Sequence, residues 1–306
     1  MRWRKTGVAI APPQGLPWAA SHAAVPHVEP CDDESVLVYF TTRDDLRRSH
    51  VARGRLWLGA DGVPAGVDVH PDPILSPGRR GTFDDSGTMT SCLVSHGGVE
   101  RLYYQGWALG VTVPFYVYVG CASRMAGQGD FERISPAPVL GPHAVDPIMC
   151  SSPWVHVEDE VWRMWYVSNL AWEDGGDGRA EYRVHIRYAE SDDGIDWRRE
   201  GRVCIDFAGP GETALSRPVV LRDADRYRMW YSHRGRSYRV GYAESGDGLQ
   251  WERRDDLAGI DVSDSGFDSD MVEYACVFDH GGRRHMLYNG NGFGATGIGH
   301  AVLDEL

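Results

Sequence analysis

A repeat with a period of about 60 residues runs through the whole chain and constrains its fold more than any other feature. Its clearest copies are the pattern Y-A-E-S-x-D-G-x-x-W at 188–197 and 242–251, and the preceding R-M-W-Y at 163–166 and 228–231. Looser versions of R-M-W-Y extend the alignment to five copies, whose last aromatics (the aligned aromatics) are Phe40, Tyr104, Tyr166, Tyr231 and Tyr288. Their nearly even spacing is the signature of a repeat architecture.

Each copy indicates short strands joined by tight turns. The Asp-Gly step inside the longer pattern is a turn signal, and the aromatic that follows favours a new strand. No stretch has a sustained helical period, which excludes helical solenoids. The sequence therefore predicts an all-β fold: a single five-bladed β-propeller domain over residues 1–306, with four-stranded antiparallel blades around a central channel.

Charge and composition exclude several classes of function. The chain has 31 basic and 44 acidic residues, giving a net charge of −13, and Lys5 is its single lysine. Pyridoxal-phosphate enzymes, Schiff-base aldolases and Walker-type NTPases each need a positioned lysine, for which Lys5 is a poor candidate. An acidic chain without a basic block also predicts no nucleic-acid partner.

The N-terminal stretch argues against export by a signal peptide. A basic start is followed by a short apolar run at 7–11 that Pro12 and Pro13 end. No apolar run approaches the ~20 residues that span a bilayer. We therefore expect a cytoplasmic protein with no membrane partner.

Carboxylates recur at one place in the repeat. Each of the last four copies has an acid at nearly the same distance before its aligned aromatic, and these acids are Asp84, Asp146, Glu212 and Asp268. The first copy has Ala20, Ser21 and His22 there, without an acid. Two further acids, Asp85 and Asp270, lie beside the set. Because equivalent positions of a propeller form a ring at one end of its channel, these acids would raise one another's pKa, which is common in active sites. The alternative is that an Asp at a strand start caps a turn.

The repeated R-M-W-Y and Y-A-E-S-x-D-G-x-x-W motifs, together with the recurring acids, resemble the five-bladed propeller glycosidases. This superfamily includes glycoside hydrolase families 43, 62, 32, 68 and 130, and the resemblance covers nearly all of the chain. It implies an enzyme that cleaves a glycosidic bond with carboxylic groups.

The family-43 pattern implies roles for two residues and leaves a third role vacant. By position, Glu212 matches the general acid and Asp146 the aspartate that tunes it. The first copy lacks the aspartate that acts as the base. His22, the blade-two acids Asp84 and Asp85, or the blade-five acids Asp268 and Asp270 are the alternatives for that role. A phosphate nucleophile, as in family 130, is another alternative.

Residues at the ends of the predicted strands are candidates for substrate binding. Phosphate would need cations, for which Arg43, Arg217, His233 and Arg234 are candidates, although these arginines can equally pair with the surplus acids. Trp107 and Trp172 are the candidate platforms for a sugar ring, against the alternative of ordinary packing between blades, and Asn289 is a candidate hydrogen-bonding group. The tryptophans that recur inside the motifs are predicted to pack between blades.

No cofactor is required by these assignments and no metal ligand is predicted; a Ca²⁺ ion in the channel is compatible with the fold but does not follow from the spacing. The favoured function is a glycosidase acting on a small glycoside or a sugar-containing intermediate. The alternatives are a glycoside phosphorylase, a non-hydrolytic sugar-binding propeller in a glycan or natural-product biosynthetic pathway, or unrelated transfer chemistry on the same scaffold. The oligomeric state does not follow from the sequence.

Overall fold

The computed structural model describes residues 1–175 and 178–305, and these residues are nearly all strand and turn. The all-β prediction is therefore confirmed. The described strands are β1 (Arg2–Ile10), β2 (Ser21–Asp32), β3 (Ser35–Arg43), β4 (Ser49–Leu58), β5 (Pro64–Val69), β6 (Gly87–His96), β7 (Val99–Leu109), β8 (Phe115–Met125), β9 (Glu132–Arg133), β10 (Cys150–Glu158), β11 (Val161–Asp174), β12 (Ala180–Ser191), β13 (Val203–Ile205), β14 (Ala214–Arg222), β15 (Tyr227–Arg234), β16 (Tyr238–Ser245), β17 (Glu252–Arg253), β18 (Glu273–His280), β19 (Arg283–Asn289) and β20 (Ile298–Glu305). A 3-10 turn at Asp255–Leu257 and a single helical turn, α1 (Asn291–Gly294), complete the described elements.

The chain divides into two compact units, and the first combines Met1–Ser76 with Val219–Leu306. One of its sheets has the order β1-β20-β19-β18, so the N-terminal strand closes a sheet built from the C-terminal segment. A second group is the antiparallel meander β2-β3-β4-β5, and a third is β15-β16-β17. The core around the first sheet contains Trp3, Trp230, Tyr242 and Tyr288, all nearly inaccessible to solvent. We refer to this part as the terminal unit.

The second compact unit is Pro77–Pro218, the central unit. It contains the antiparallel meander β6-β7-β8-β9 and the antiparallel group β10-β11-β12, with β13 paired to β12. The strand β14 contains the boundary between the units. The strands thus follow the period seen in the sequence, while the number of blades and the single-domain organisation stay predictions.

The Y-A-E-S-x-D-G-x-x-W pattern is a strand followed by a capped turn. In its first copy, the Asp193 Oδ1 atom accepts hydrogen bonds from the backbone N–H groups of Ile195 and Asp196 at 2.8 and 2.9 Å. Ser191 Oγ accepts from the N–H of Gly194, whose φ of 73° favours glycine. The same contacts recur at Asp247 and Ser245 in the second copy. The acids of this motif therefore serve turn geometry.

Candidate active site

The recurring aspartates are buried against the aligned tyrosines. In the central unit, Asp146 is fully buried and accepts hydrogen bonds from Tyr166 Oη at 2.8 Å and Ser168 Oγ at 2.6 Å. Two guanidinium groups complete its surroundings, Arg187 at 3.1 Å and Arg199 at 3.2 Å. We call this arrangement of tyrosine hydroxyl, aspartate and cation a tyrosine latch.

The latch recurs at the other two aspartates of the set. Asp84 accepts from Tyr104 Oη at 3.0 Å and Arg133 Nε at 2.7 Å. In the terminal unit, Asp268 accepts from Tyr288 Oη at 3.0 Å and from Lys5 Nζ at 2.7 Å. Lys5, the chain's single lysine, therefore has a structural partner.

The fourth copy of the repeat builds its latch differently. Tyr231 Oη donates to Asp255 Oδ1 at 2.5 Å, and Arg253 pairs with the same carboxylate. Asp255 follows its tyrosine in the chain, whereas the other latch acids precede theirs. The first copy has Phe40, which carries no hydroxyl, and it also lacks the acid. The latch explains the recurring acid in three copies, Asp84, Asp146 and Asp268.

Removal of one latch hydroxyl is expected to reduce stability. In the Tyr166→Phe variant, the buried Asp146 loses a donor, which should lower the free energy of unfolding by about 1–3 kcal/mol. Urea denaturation of the variant and wild type measures the difference. The Tyr116→Phe substitution, which removes a half-buried hydroxyl outside the latches, is the control. Equal stability of the Tyr166→Phe variant and wild type would contradict the latch.

Glu212 is left outside the tyrosine latches described above. It lies in the central unit, is buried to 8% exposure, and its Oε2 atom accepts a hydrogen bond from the backbone N–H of Ala208 at 2.8 Å. Asp85 accepts from Gly81 N and Ser86 Oγ within its turn, and Asp270 is exposed in the terminal unit. The catalytic roles of Glu212, Asp146, Asp85, Asp84 and Asp268 stay predictions.

A buried carboxyl group that the repeat does not reveal lies in the terminal unit. Glu273 begins β18, is 0% exposed, and its Oε2 atom has no hydrogen-bond partner among the described residues. Its Oε1 atom accepts a 3.4 Å hydrogen bond from Asn289 Nδ2, while Asn289 Oδ1 accepts from the backbone N–H of Val25 at 2.9 Å. Burial raises the pKa of Glu273 to about 8, although Asn289 and the charge of Arg234 both oppose the rise.

Backbone irregularity surrounds this carboxyl group. The pairing of β18 with β19 shifts register between Glu273 and Cys276, and Tyr274 has a φ of 52°. The backbone N–H of Tyr274 donates to Ser232 Oγ at 2.7 Å. Val25 has a φ of 51°, which is unfavourable for a β-branched residue. Ser152 and Arg217, which lie as far before their aligned tyrosines as Tyr274 does, have φ values of 47° and 52°, so this irregularity recurs with the repeat.

Aromatic rings lie next to Glu273. The Tyr274 ring is 5.8 Å from that of Tyr238, and Tyr238 is 6.1 Å from Phe293, which is 39% exposed. The guanidinium of Arg234 lies 5.5 Å above the Tyr238 ring. Tyr238 is 1% exposed, so only the rings of Tyr274 and Phe293 have surface that a sugar ring can stack against.

Several of the predicted binding residues are near Glu273. Asn289 and Arg234 interact with its carboxyl group, and Arg43 is close enough to Tyr274 to interact with it electrostatically. His22 has a φ of 64°, and burial together with Arg43 lowers its pKa to about 4. We call Glu273, Tyr274, Asn289, Arg234, His22 and Arg43 the Glu273 site. His233 is half-buried on the strand that carries Arg234, and its ring lies near Tyr231.

The remaining predicted binding residues belong to the central unit. Arg217 is 1% exposed, donates to Ser91 Oγ at 3.1 Å and lies 5.7 Å above the Trp154 ring. Trp172 is half-buried and packs edge-on against Phe115 and Tyr182, which are half-buried as well. Trp107 is half-buried. Their substrate-binding roles stay predictions.

The part of the chain that the structure describes contains no group of three or more His, Cys, Asp and Glu side chains arranged to hold an ion. Within residues 1–175 and 178–305, no helix has the length and apolar character needed to cross a membrane.

The fold is that of the propeller glycosidases, as comparison with solved structures shows. A glycoside hydrolase superposes with a TM-score of 0.74 at 17% identity, covering 99% of this chain and 92% of its own. The family 117 glycoside hydrolase Zg3597 of Zobellia galactanivorans gives 0.68 at 11%, covering 98% and 90%. The β-1,2-mannobiose phosphorylase of Listeria innocua gives 0.68 at 14%, covering 96% and 94%. The resemblance seen in the sequence is thus confirmed for the fold.

The chain belongs to the family of the uncharacterized Mycobacterium tuberculosis proteins Rv1502 (strain H37Rv) and MT1551 (strain CDC 1551). Each is 45% identical to it over 305 residues, covering 100% of both chains. No family model matches the sequence.

Proposed function

We propose that this protein is an enzyme that cleaves a glycosidic bond and that Glu273 is the proton donor. The observation that carries the proposal is the buried carboxyl group, with one oxygen held by Asn289, the other without a hydrogen-bond partner among the described residues, and a pKa raised to about 8. A carboxyl group that stays protonated at neutral pH is the general acid that glycoside cleavage requires. The propeller glycosidase fold supports this choice of chemistry.

The proposed reaction needs the groups of the Glu273 site and one external nucleophile, a water molecule. The proton of Glu273 moves to the glycosidic oxygen as the bond from that oxygen to the anomeric carbon breaks, and the electron pair leaves with the alcohol. The oxygen of a water molecule then bonds to the anomeric carbon, and the proton that the water releases returns to the enzyme. The ring of Tyr274 would hold the sugar by stacking.

His22 fits the role of hydrogen-bonding group better than that of base. Its pKa near 4 keeps the imidazole neutral at pH 7 but makes it a weaker proton acceptor than an ordinary histidine. Glu212 stays the alternative proton donor from the sequence, and a central channel surrounded by five four-stranded blades stays part of the proposal.

Phosphorolysis is the second candidate, because arginine side chains lie near Glu273. In that reaction an oxygen of inorganic phosphate, in place of water, bonds to the anomeric carbon, and the product is a sugar phosphate. The cation Arg43 supports this variant.

An assay of the wild-type protein against aryl glycosides of common sugars, with and without phosphate, tests the proposed function. We expect release of the aryl alcohol from at least one glycoside at pH 6–7. Release without phosphate identifies hydrolysis, and strict dependence on phosphate identifies phosphorolysis. Saturable binding of a glycoside without any release would contradict the proposal and favour a sugar-binding protein.

A further inference from the structure

Arg43 in the Glu273 site lacks an acidic partner among the described residues, although the protein as a whole is acidic. The chain has 44 acidic residues against 31 basic ones, and several of its buried or half-buried guanidinium groups are paired. Over residues 1–175 and 178–305, Arg43 makes no ion pair and its side chain makes no hydrogen bond, although it is half-buried at the end of β3. A half-buried charge without a partner is unfavourable, so the position calls for a ligand.

The acid next to Arg43 in the sequence, Asp44, already has other partners. Asp44 accepts from the backbone N–H of Arg48 at 2.8 Å, pairs with the Arg48 guanidinium at 2.9 Å, and contacts His50 Nε2 at 3.3 Å. Burial lowers the pKa of the Arg43 guanidinium, and the neighbouring cation Arg47 lowers it further as a like charge.

Two groups on other strands interact electrostatically with Arg43 and are suited to hold an oxyanion. His22 on β2 is neutral at pH 7 and half-buried, so it can donate a hydrogen bond without adding charge. Tyr274 on β18 brings a phenol group close enough to interact with Arg43. Because Glu273 stays protonated near neutral pH, its carboxyl group would not repel an anion.

We propose that Arg43, with His22 and Tyr274, forms an anion-binding subsite of the Glu273 site that takes a carboxylate or phosphate oxyanion. The anion is carried either by the sugar itself or by free phosphate, and the guanidinium fork recognises both. This inference rests on the proposed function for one point, namely that the anion takes part in a glycoside reaction. An anion bound there would also favour the protonated form of Glu273.

Isothermal titration calorimetry tests the subsite with three probes: methyl glucuronide, methyl glucoside and inorganic phosphate. We expect at least one anionic probe to bind at least ten times more tightly than the neutral glucoside. The Arg43→Gln variant should weaken that binding roughly tenfold to hundredfold, and Arg43→Lys should restore part of it. Arg53→Gln, which removes a charge from the neighbouring strand β4, is the matched control and should bind as wild type does.

The two sources of the anion separate in the same experiment. Preference for glucuronide over glucoside assigns the anion to the sugar, and binding of phosphate alone assigns it to a co-substrate. The subsite is overturned when no probe shows Arg43-dependent binding. Repeating the titration with the Glu273→Gln variant separates the two proposals, because that variant should lose turnover but keep anion binding. A Glu273→Gln variant with full turnover would overturn the assignment of Glu273 as the proton donor and leave the subsite standing.

Discussion

We expect the Glu273→Gln substitution to lower kcat by a factor of about 10² to 10⁴ on glycosides with a poor leaving group. General acid catalysis is typically worth that much, and glutamine keeps the shape of the side chain without its acidic proton. The hydrogen bond to Asn289 Nδ2 can persist through the amide oxygen. The measurement is steady-state kinetics on an alkyl glycoside found in the substrate screen.

The leaving group provides a readout that a merely structural role would not change. A dinitrophenolate leaves without protonation, so the dinitrophenyl glycoside should be cleaved by the variant within about tenfold of wild type, because the 10²–10⁴ acid contribution is not needed for that bond. Glu212→Gln is the matched comparison. If Glu273 is the proton donor, Glu212→Gln keeps its activity on the alkyl glycoside; the reverse pattern would assign the role to Glu212, as the sequence predicts.

The pH dependence follows from the pKa of Glu273 near 8. The acid acts in its protonated form, so the kcat of the wild type should fall as the pH rises through about 8. Stability should also fall as the pH rises, because between pH 4.5 and 8 the folded state holds a proton on Glu273 that the unfolded state has released. The free energy of unfolding of the wild type should therefore decline across this range relative to that of Glu273→Gln.

The repeat in the sequence predicts the fold well because it reflects a requirement shared by its copies. In three copies the aligned tyrosine and the acid 20 residues before it bond to each other, as in Tyr104 and Asp84 or Tyr288 and Asp268. Periodicity therefore reports what each group of strands needs in order to pack. The same periodicity predicts a ring of catalytic acids, whereas the contacts indicate a structural use.

The repeat does not reveal Glu273, because periodicity shows only the residues that the copies share. Glu273 breaks the pattern, because two other copies have Ser151 and Ser216 at the corresponding position before the aligned aromatic. An acid at a position where the first two copies have Val25 and Met89 is a signal available in the sequence, but its burial and its contact with Asn289 are not revealed by spacing. The candidate binding residues Arg43, Arg234 and Asn289 can be picked out because they end their strands, where loops and ligands meet.

The Asp146→Asn variant separates the structural use of the latch acids from a catalytic one. Asp146 is fully buried between Arg187 and Arg199, whose side chains are only 13% and 9% exposed. Neutralising it leaves two poorly solvated guanidinium groups without their carboxylate, and breaking a buried ion pair on one side costs about 3–5 kcal/mol. We expect the free energy of unfolding to fall by this amount in urea denaturation.

The matched control is Asp192→Asn, which breaks a two-point pair with Arg198 in the same unit. Those side chains are 80% and 55% exposed, so solvent already screens the pair and the loss should be far smaller than that of Asp146→Asn. If Asp146→Asn instead unfolds at the wild-type urea concentration but loses turnover, Asp146 acts in catalysis, as the family-43 pattern implies. A variant that is destabilised but keeps the wild-type kcat at urea concentrations below its unfolding transition would assign Asp146 to the latch. The buried carboxylate, held by two arginines and a tyrosine, would then serve only to hold the strands together.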